Sequence, residues 1–218
     1  MSLYDKASIF LAPGGYKEGR IFNQKPLGEG SDINFNRGTA ASVQTREAND
    51  GNITSVGLDI PRINYLGNDG GYLLMEPQSI NVLTYSNNFN QNSTYTAIAV
   101  PQRQANQVIS PTGDLTGTLL KSGNPNFLTG LRINENVVSG SDYTFSFFAK
   151  KKDLDYMAIQ HFNTNSAFSS STSWFNIDNG TLGTVDINGN DVETKIEDYG
   201  NGWYRCSATQ KTKATAQG

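Results

Sequence analysis

Apolar residues along this chain recur with a period of two, the spacing of an extended strand, and not with the 3.6-residue period of a helix. Asp142-Tyr143-Thr144-Phe145-Ser146-Phe147-Phe148 puts aromatic residues on one side of the backbone and small polar residues on the other. Residues 156–162, 173–177 and 203–208 read as further strands, with a turn leading toward 182–187, and 97–100, 107–110, 117–121 and 129–133 fill out a sandwich of about eight strands. The first eighty residues carry shorter candidates, 8–11, 20–23, 33–36, 41–45, 53–56 and 72–75, each broken by Gly or Pro. Turn signals separate them: Pro13-Gly14-Gly15, Gly28-Glu29-Gly30, Asn49-Asp50-Gly51, Asn68-Asp69-Gly70-Gly71, Asp178-Asn179-Gly180, Asn188-Gly189 and Gly200-Asn201-Gly202. Asn and Gly tolerate the positive φ that tight β-turns demand. No sustained i, i+3, i+4, i+7 pattern with caps is present, so the pattern predicts an all-β protein. Residues 1–82 are expected to form an extended, strand-rich segment and 83–218 a β-sandwich incomplete at its C-terminus.

Composition sharpens this picture. Only 36% of the 218 residues are hydrophobic and 17% charged, with Asn, Ser, Thr, Gly and Gln filling the difference. Mean hydropathy is -0.48. The first segment has too little apolar side chain to offset its own ordering entropy, so it is either disordered or stabilised by neighbouring subunits, and its Tyr4, Ile9, Phe10, Tyr16 and Phe22 favour docking. The net charge of -3 leaves no basic face for phosphates, which argues against a nucleic-acid partner. Lys150, Lys151 and Lys152, followed by Asp153 and Asp155, read as a solvated turn. A single cysteine, Cys206, excludes an intrachain disulfide and sits where a small buried hydrophobe is expected. With His161 the one histidine, a usual zinc site is excluded, and any Ser-His-Asp triad would have to use it. No apolar run approaches membrane-spanning length and the start lacks a signal-peptide pattern, so a chain made in a cytoplasm, with no membrane partner, is expected.

Several runs taken together resemble one family. They are Leu3-Tyr4-Asp5-Lys6-Ala7-Ser8-Ile9, Ala12-Pro13-Gly14-Gly15-Tyr16, Phe35-Asn36-Arg37-Gly38-Thr39, Ile60-Pro61-Arg62-Ile63-Asn64-Tyr65, and the long stretch from Tyr72 through Glu76-Pro77-Gln78 to Tyr85-Ser86-Asn87-Asn88-Phe89. Tyr143 to Lys150 and Gly200-Asn201-Gly202-Trp203-Tyr204-Arg205 are similar to two strands of the sandwich that follows in the same proteins. The family is that of phage virion head-spike, head-fibre or tail-fibre proteins, with an N-terminal anchor and a carbohydrate-binding-module-like jelly roll. This chain departs from it at Ser79, where Arg is usual, and at Asn64, where Asp is usual. The resemblance implies a jelly-roll-like sandwich, residence on the virion surface after assembly in the bacterial host cytoplasm, capsid or tail proteins as partners, and a homotrimer.

Candidate chemistry is sparse. Pro77 marks a rigid transition out of a strand, and Glu76 is expected to clamp Arg62 by an ion pair or to make a polar subunit contact. Arg37 beside Gly38 reads as a surface turn or interchain contact. Trp174, Tyr156 and His161 are the candidates for stacking on a glycan, whereas Trp203 reads as core. Asp178, Asp186, Asp191, Glu193, Glu197 and Asp198 crowd a loop-rich region. They could supply a glycosidase pair or oxygen ligands for Ca2+, but no spacing selects either. The expectation is a structural virion protein, with glycan attachment as the alternative, no enzymatic activity, and no cofactor unless the acidic cluster takes Ca2+.

Overall fold

The computed structural model describes residues 11–17, 20–23, 33–34, 44–65, 71–75, 80–99, 101–122, 129–162, 170–187 and 192–212, with side chains from Glu47 onward except that of Ile187. Every regular element among them is a β-strand, as the period-two pattern requires. The chain divides into two compact units, Met1–Asn81 with Asn106–Gly117, and Val82–Ala105 with Thr118–Gly218.

The first unit contains β1 (Leu11–Lys17), β2 (Arg20–Asn23), β3 (Ile33–Asn34), β4 (Gln44–Glu47), β5 (Ile53–Val56), β6 (Ile63–Asn64) and β7 (Tyr72–Leu73). They pair antiparallel as β1-β2-β3, β4-β5 and β6-β7. The Pro13-Gly14-Gly15 run, expected as a turn, lies inside β1. The register there shifts between Leu11 and Tyr16, and β1 is an edge strand. A bulge on an edge is where a ladder tolerates a proline with no N–H to give. Asn49-Asp50-Gly51 does form the expected tight turn: Gly51 has φ 79 and donates its N–H to Ala48 O at 3.0 Å.

The second unit contains β8 (Thr96–Ile98), β9 (Gln102–Val108), β10 (Gly117–Lys121), β11 (Gly130–Arg132), β12 (Asp142–Lys150), β13 (Tyr156–His161), β14 (Ser171–Asn176), β15 (Thr181–Ile187), β16 (Val192–Asp198) and β17 (Trp203–Lys211), with the tip of the β9–β10 hairpin counted in the first unit. Three-stranded sheets β12-β17-β16 and β13-β14-β15 dominate it, beside the pairs β9-β10 and β8-β11. Phe147, Cys206 and Ile196 stand in one cross-strand row, as do Met157 and Phe175 in the other sheet. These inward rows share one apolar cluster: Ala149, Ile159, Phe175, Ile177, Cys206 and Ala208 are buried, with Phe145, Phe147, Met157, Val192, Ile196 and Tyr204 packed against them. Phe147 meets Phe175 edge-on at 6.3 Å between ring centroids, the geometry favoured by the aromatic quadrupole. Fully burying a side chain such as Phe175 contributes about 1.5–3 kcal/mol, so this cluster is the main apolar driving force of the unit.

Two segments of this unit differ from expectation. The acidic stretch expected as loop is the strand β16: Val192, Thr194 and Ile196 alternate with Glu193, Lys195 and Glu197, and pairing with Tyr204–Gln210 of β17 outweighs the charge count. Trp203, expected in the core, is half-buried on the other face of β17, because Tyr204, Cys206 and Ala208 hold the inward positions. Thr212 closes the sheet: its Oγ1 donates to Val138 O at 2.7 Å and accepts from Ser141 N at 3.0 Å.

Candidate functional site

The outward face of β13-β14-β15 brings two of the stacking candidates together. Alternation sends Met157, Ile159, Ser173 and Phe175 inward, so Tyr156, Ala158, Gln160, Thr172, Trp174 and Asn176 share the other face. Trp174 lies on the central strand opposite Ala158, and Tyr156, opposite Asn176, is its diagonal neighbour. Tyr156 is 50% exposed and Trp174 half-buried. On the other side of Trp174 the β14–β15 register shifts, so that Gly183 and Thr184 face one residue. Gly183 is there because nothing larger fits: a Cβ would lie 2.9 Å from the Trp174 Cβ and 3.1 Å from its carbonyl oxygen. With alanine on one flank and glycine on the other, the indole has no bulky cross-strand neighbour.

Polar groups surround this aromatic pair. Gln160, Thr172 and Asp186 form one cross-strand row, in which Gln160 Nε2 donates to Thr172 Oγ1 at 3.3 Å. Aromatic faces beside amide, hydroxyl and carboxylate groups can take the apolar C–H face of a sugar while bonding its hydroxyls.

His161 is not on this face. It stands inward on β13, opposite Ser171, whose Oγ lies 3.5 Å from His161 Nδ1 and donates to Gln210 Oε1 at 3.4 Å. Burial holds the imidazole below its ordinary pKa, so it is neutral at pH 7. Ser171 is 2% exposed, which closes its hydroxyl to a substrate carbonyl.

The acidic residues are dispersed. Asp186 is on the outward face just described, Glu193 and Glu197 point outward from β16, and the Asp198 carboxylate accepts from Gly200 N at 2.8 Å. Glu197, with a side chain 15% exposed, bridges Lys195 Nζ at 2.6 Å and Arg205 NH1 at 3.2 Å. Lys151 Nζ sits 2.7 Å from both Asp155 and Asp178, which pushes its pKa up to about 12. Asp191 lies outside the described residues, and among those described no three His, Cys, Asp or Glu side chains converge to hold a metal ion.

Of the anchor candidates, Tyr4, Ile9, Phe10, Arg37 and Glu76 lie outside the described residues, and so does the expected Glu76–Arg62 clamp. Tyr16 and Phe22 are placed on β1 and β2 by their backbone. Arg62 is half-buried, and its carbonyl accepts from Leu74 N at 2.8 Å. Asn64, 6% exposed, accepts from Glu47 N at 2.7 Å and donates its Nδ2 to Tyr72 OH at 2.9 Å, tying β4, β6 and β7 together. An amide flanked by Ile63 and Tyr65 in a short strand was the available signal, since a buried polar side chain needs partners. The outward face of β12-β17-β16 carries a group with no signal in the sequence: Phe148 packs edge-on against Tyr199 at 5.0 Å beside the Lys195–Glu197–Arg205 group.

No protein-family model and no curated protein matches this chain.

Proposed function

We propose that this chain is a structural protein of a bacteriophage virion, anchoring a surface fibre of the head or tail to the particle and presenting a jelly-roll-like sandwich outward. The observation that carries this reading is the imbalance of the first unit. Its described residues bury Val56, Pro61 and Ile63 but leave Leu58, Ile60, Met75 and Ile80 exposed, the last two by more than 80%. Its described strands are short and pair only in twos and threes, and a two-stranded hairpin is marginal in water on its own. Such a segment is completed by neighbours, as a virion provides, and strand sharing in a homotrimer is the arrangement that fits. The motif runs at 60–65 and 72–89 support the same assignment. In this reading the protein performs no chemistry, works without a cofactor, and resides on the particle surface after assembly in the bacterial cytoplasm. Light scattering on the full chain and on a chain starting at Leu83 tests it. A trimer that falls to a monomer on shortening is expected; two well-folded monomers would refute the anchor role.

The outward face around Trp174 favours a second role, binding of a host-surface glycan by the sandwich. Loss of glycan retention on replacing Trp174 and Tyr156 with alanine, with the circular dichroism unchanged, is expected. Retention by the double variant would remove this reading and leave the first intact.

A further inference from the structure

Three described turns place a glycine directly after Asp or Asn: Asp50-Gly51, Asn179-Gly180 and Asn201-Gly202. This dipeptide can rearrange spontaneously, because the glycine nitrogen, unhindered by a side chain, can attack the preceding side-chain carbonyl. The structure separates the three sites. Gly51 N is engaged with Ala48 O at 3.0 Å, and the Asp50 carboxylate accepts from both Asn52 N and Asn52 Nδ2. Gly180 N is engaged with Asn176 O at 3.0 Å, and Asn179 Oδ1 accepts from Thr181 Oγ1 at 2.7 Å. At the third turn Trp203 N donates to Gly200 O at 2.9 Å, with φ 50 at Asn201 and 76 at Gly202, the type I′ geometry that joins β16 to β17. That bond passes outside both reacting residues. Asn201 and Gly202 are exposed, and neither the Asn201 amide nor Gly202 N makes a hydrogen bond to any described residue.

We propose that Asn201 is a site of spontaneous deamidation and isoaspartate formation, and that Asn179 is protected from it. Gly202 N loses its proton and attacks Asn201 Cγ. The new C–N bond closes a five-membered succinimide as the Cγ–Nδ2 bond breaks and ammonia leaves. Water then opens either carbonyl, giving aspartate or isoaspartate, with no oxidant or reductant involved. At Asn179 the bond from Gly180 N to Asn176 O must break before the same attack. At roughly one ordinary bond's net worth, this slows the reaction by about fivefold. Conversion at Asn201 has a structural consequence. Isoaspartate adds a backbone methylene to a turn whose two central residues both need positive φ, and that turn leads into β17, the central strand that carries Cys206 and Ala208.

The test is incubation of the intact full chain in mildly alkaline buffer, followed by peptide mapping that resolves aspartate from isoaspartate. Conversion at Asn201 is expected to run about fivefold ahead of Asn179. Asn201→Gly, which keeps a type I′ turn, should remove the modified species, whereas Asn179→Gly should leave them unchanged. Conversion at Asn179 as fast as at Asn201 would overturn the proposal. So would an Asn201 that stays intact while the denatured chain converts there under the same conditions.

Discussion

Two serines two residues apart on one strand provide a sharp test of the core. Ser171 and Ser173 both point inward from β14, with 2% and 0% exposure. Ser171 Oγ donates to Gln210 Oε1, whereas Ser173 Oγ, in register with Ile159 and Val185, has no hydrogen-bond partner among the described residues. An unsatisfied buried hydroxyl costs about 1–3 kcal/mol. Removing it forfeits a few dispersion contacts of about 0.1–0.2 kcal/mol each. Ser173→Ala is therefore expected to stabilise the protein by about 1 kcal/mol, read as a rise of roughly 2–4 °C in Tm for a chain of this size. Ser171→Ala loses a bond and is expected to cost about 0.5–1.5 kcal/mol. Urea and thermal unfolding of both variants, followed by circular dichroism, measure the two signs. If Ser173→Ala destabilises as much as Ser171→Ala, the Ser173 hydroxyl is satisfied in solution and the argument fails.

Three further outcomes follow from individual residues. Asn64→Asp should be tolerated, because the carboxylate accepts from Glu47 N and the Tyr72 hydroxyl turns to donate to it; Asn64→Leu loses both bonds and should cost about 1–3 kcal/mol, with faster hydrogen exchange at the Glu47 amide. His161 has a folded pKa below its ordinary 6.5, so the unfolded chain takes up a proton first as pH falls; stability should be full above about 6.5 and decline below it, and His161→Gln should flatten that decline in a Tm-versus-pH series. Burial pushes the Cys206 thiol up to about 12 from 9.0, so in this case the unfolded chain loses its proton first as pH rises. Stability should fall from about pH 9 upward, and at pH 8 the thiol should react with a disulfide reagent only on unfolding; rapid labelling of the native chain would contradict its place in the core.

The all-β class and most strands of the second unit were legible because alternation is a local signal. Tyr143, Phe145 and Phe147 declare an inward face without reference to any other strand, and Cys206 behaves as the small hydrophobe its neighbours suggested. The tight turn at Asn49-Asp50-Gly51 was legible for the same reason, since positive φ is a property of the residue. Even the separation of His161 from Tyr156 was implicit: five residues apart on one strand, they point to opposite faces.

Only the tertiary structure decided which face meets the core, because that depends on the partner sheet. It put Trp174 outward and turned Trp203 to the face of β17 away from Cys206, although an aromatic residue in an alternating strand suggested core for Trp203. It made β16 a strand, since a charged alternating segment gains its order from the neighbour it pairs with. It carried β1 through Pro13-Gly14-Gly15, because an edge with a bulge accepts what a central strand rejects. It also scattered the acidic residues that had looked like one site, since closeness along a β chain places successive side chains on opposite faces and on different strands.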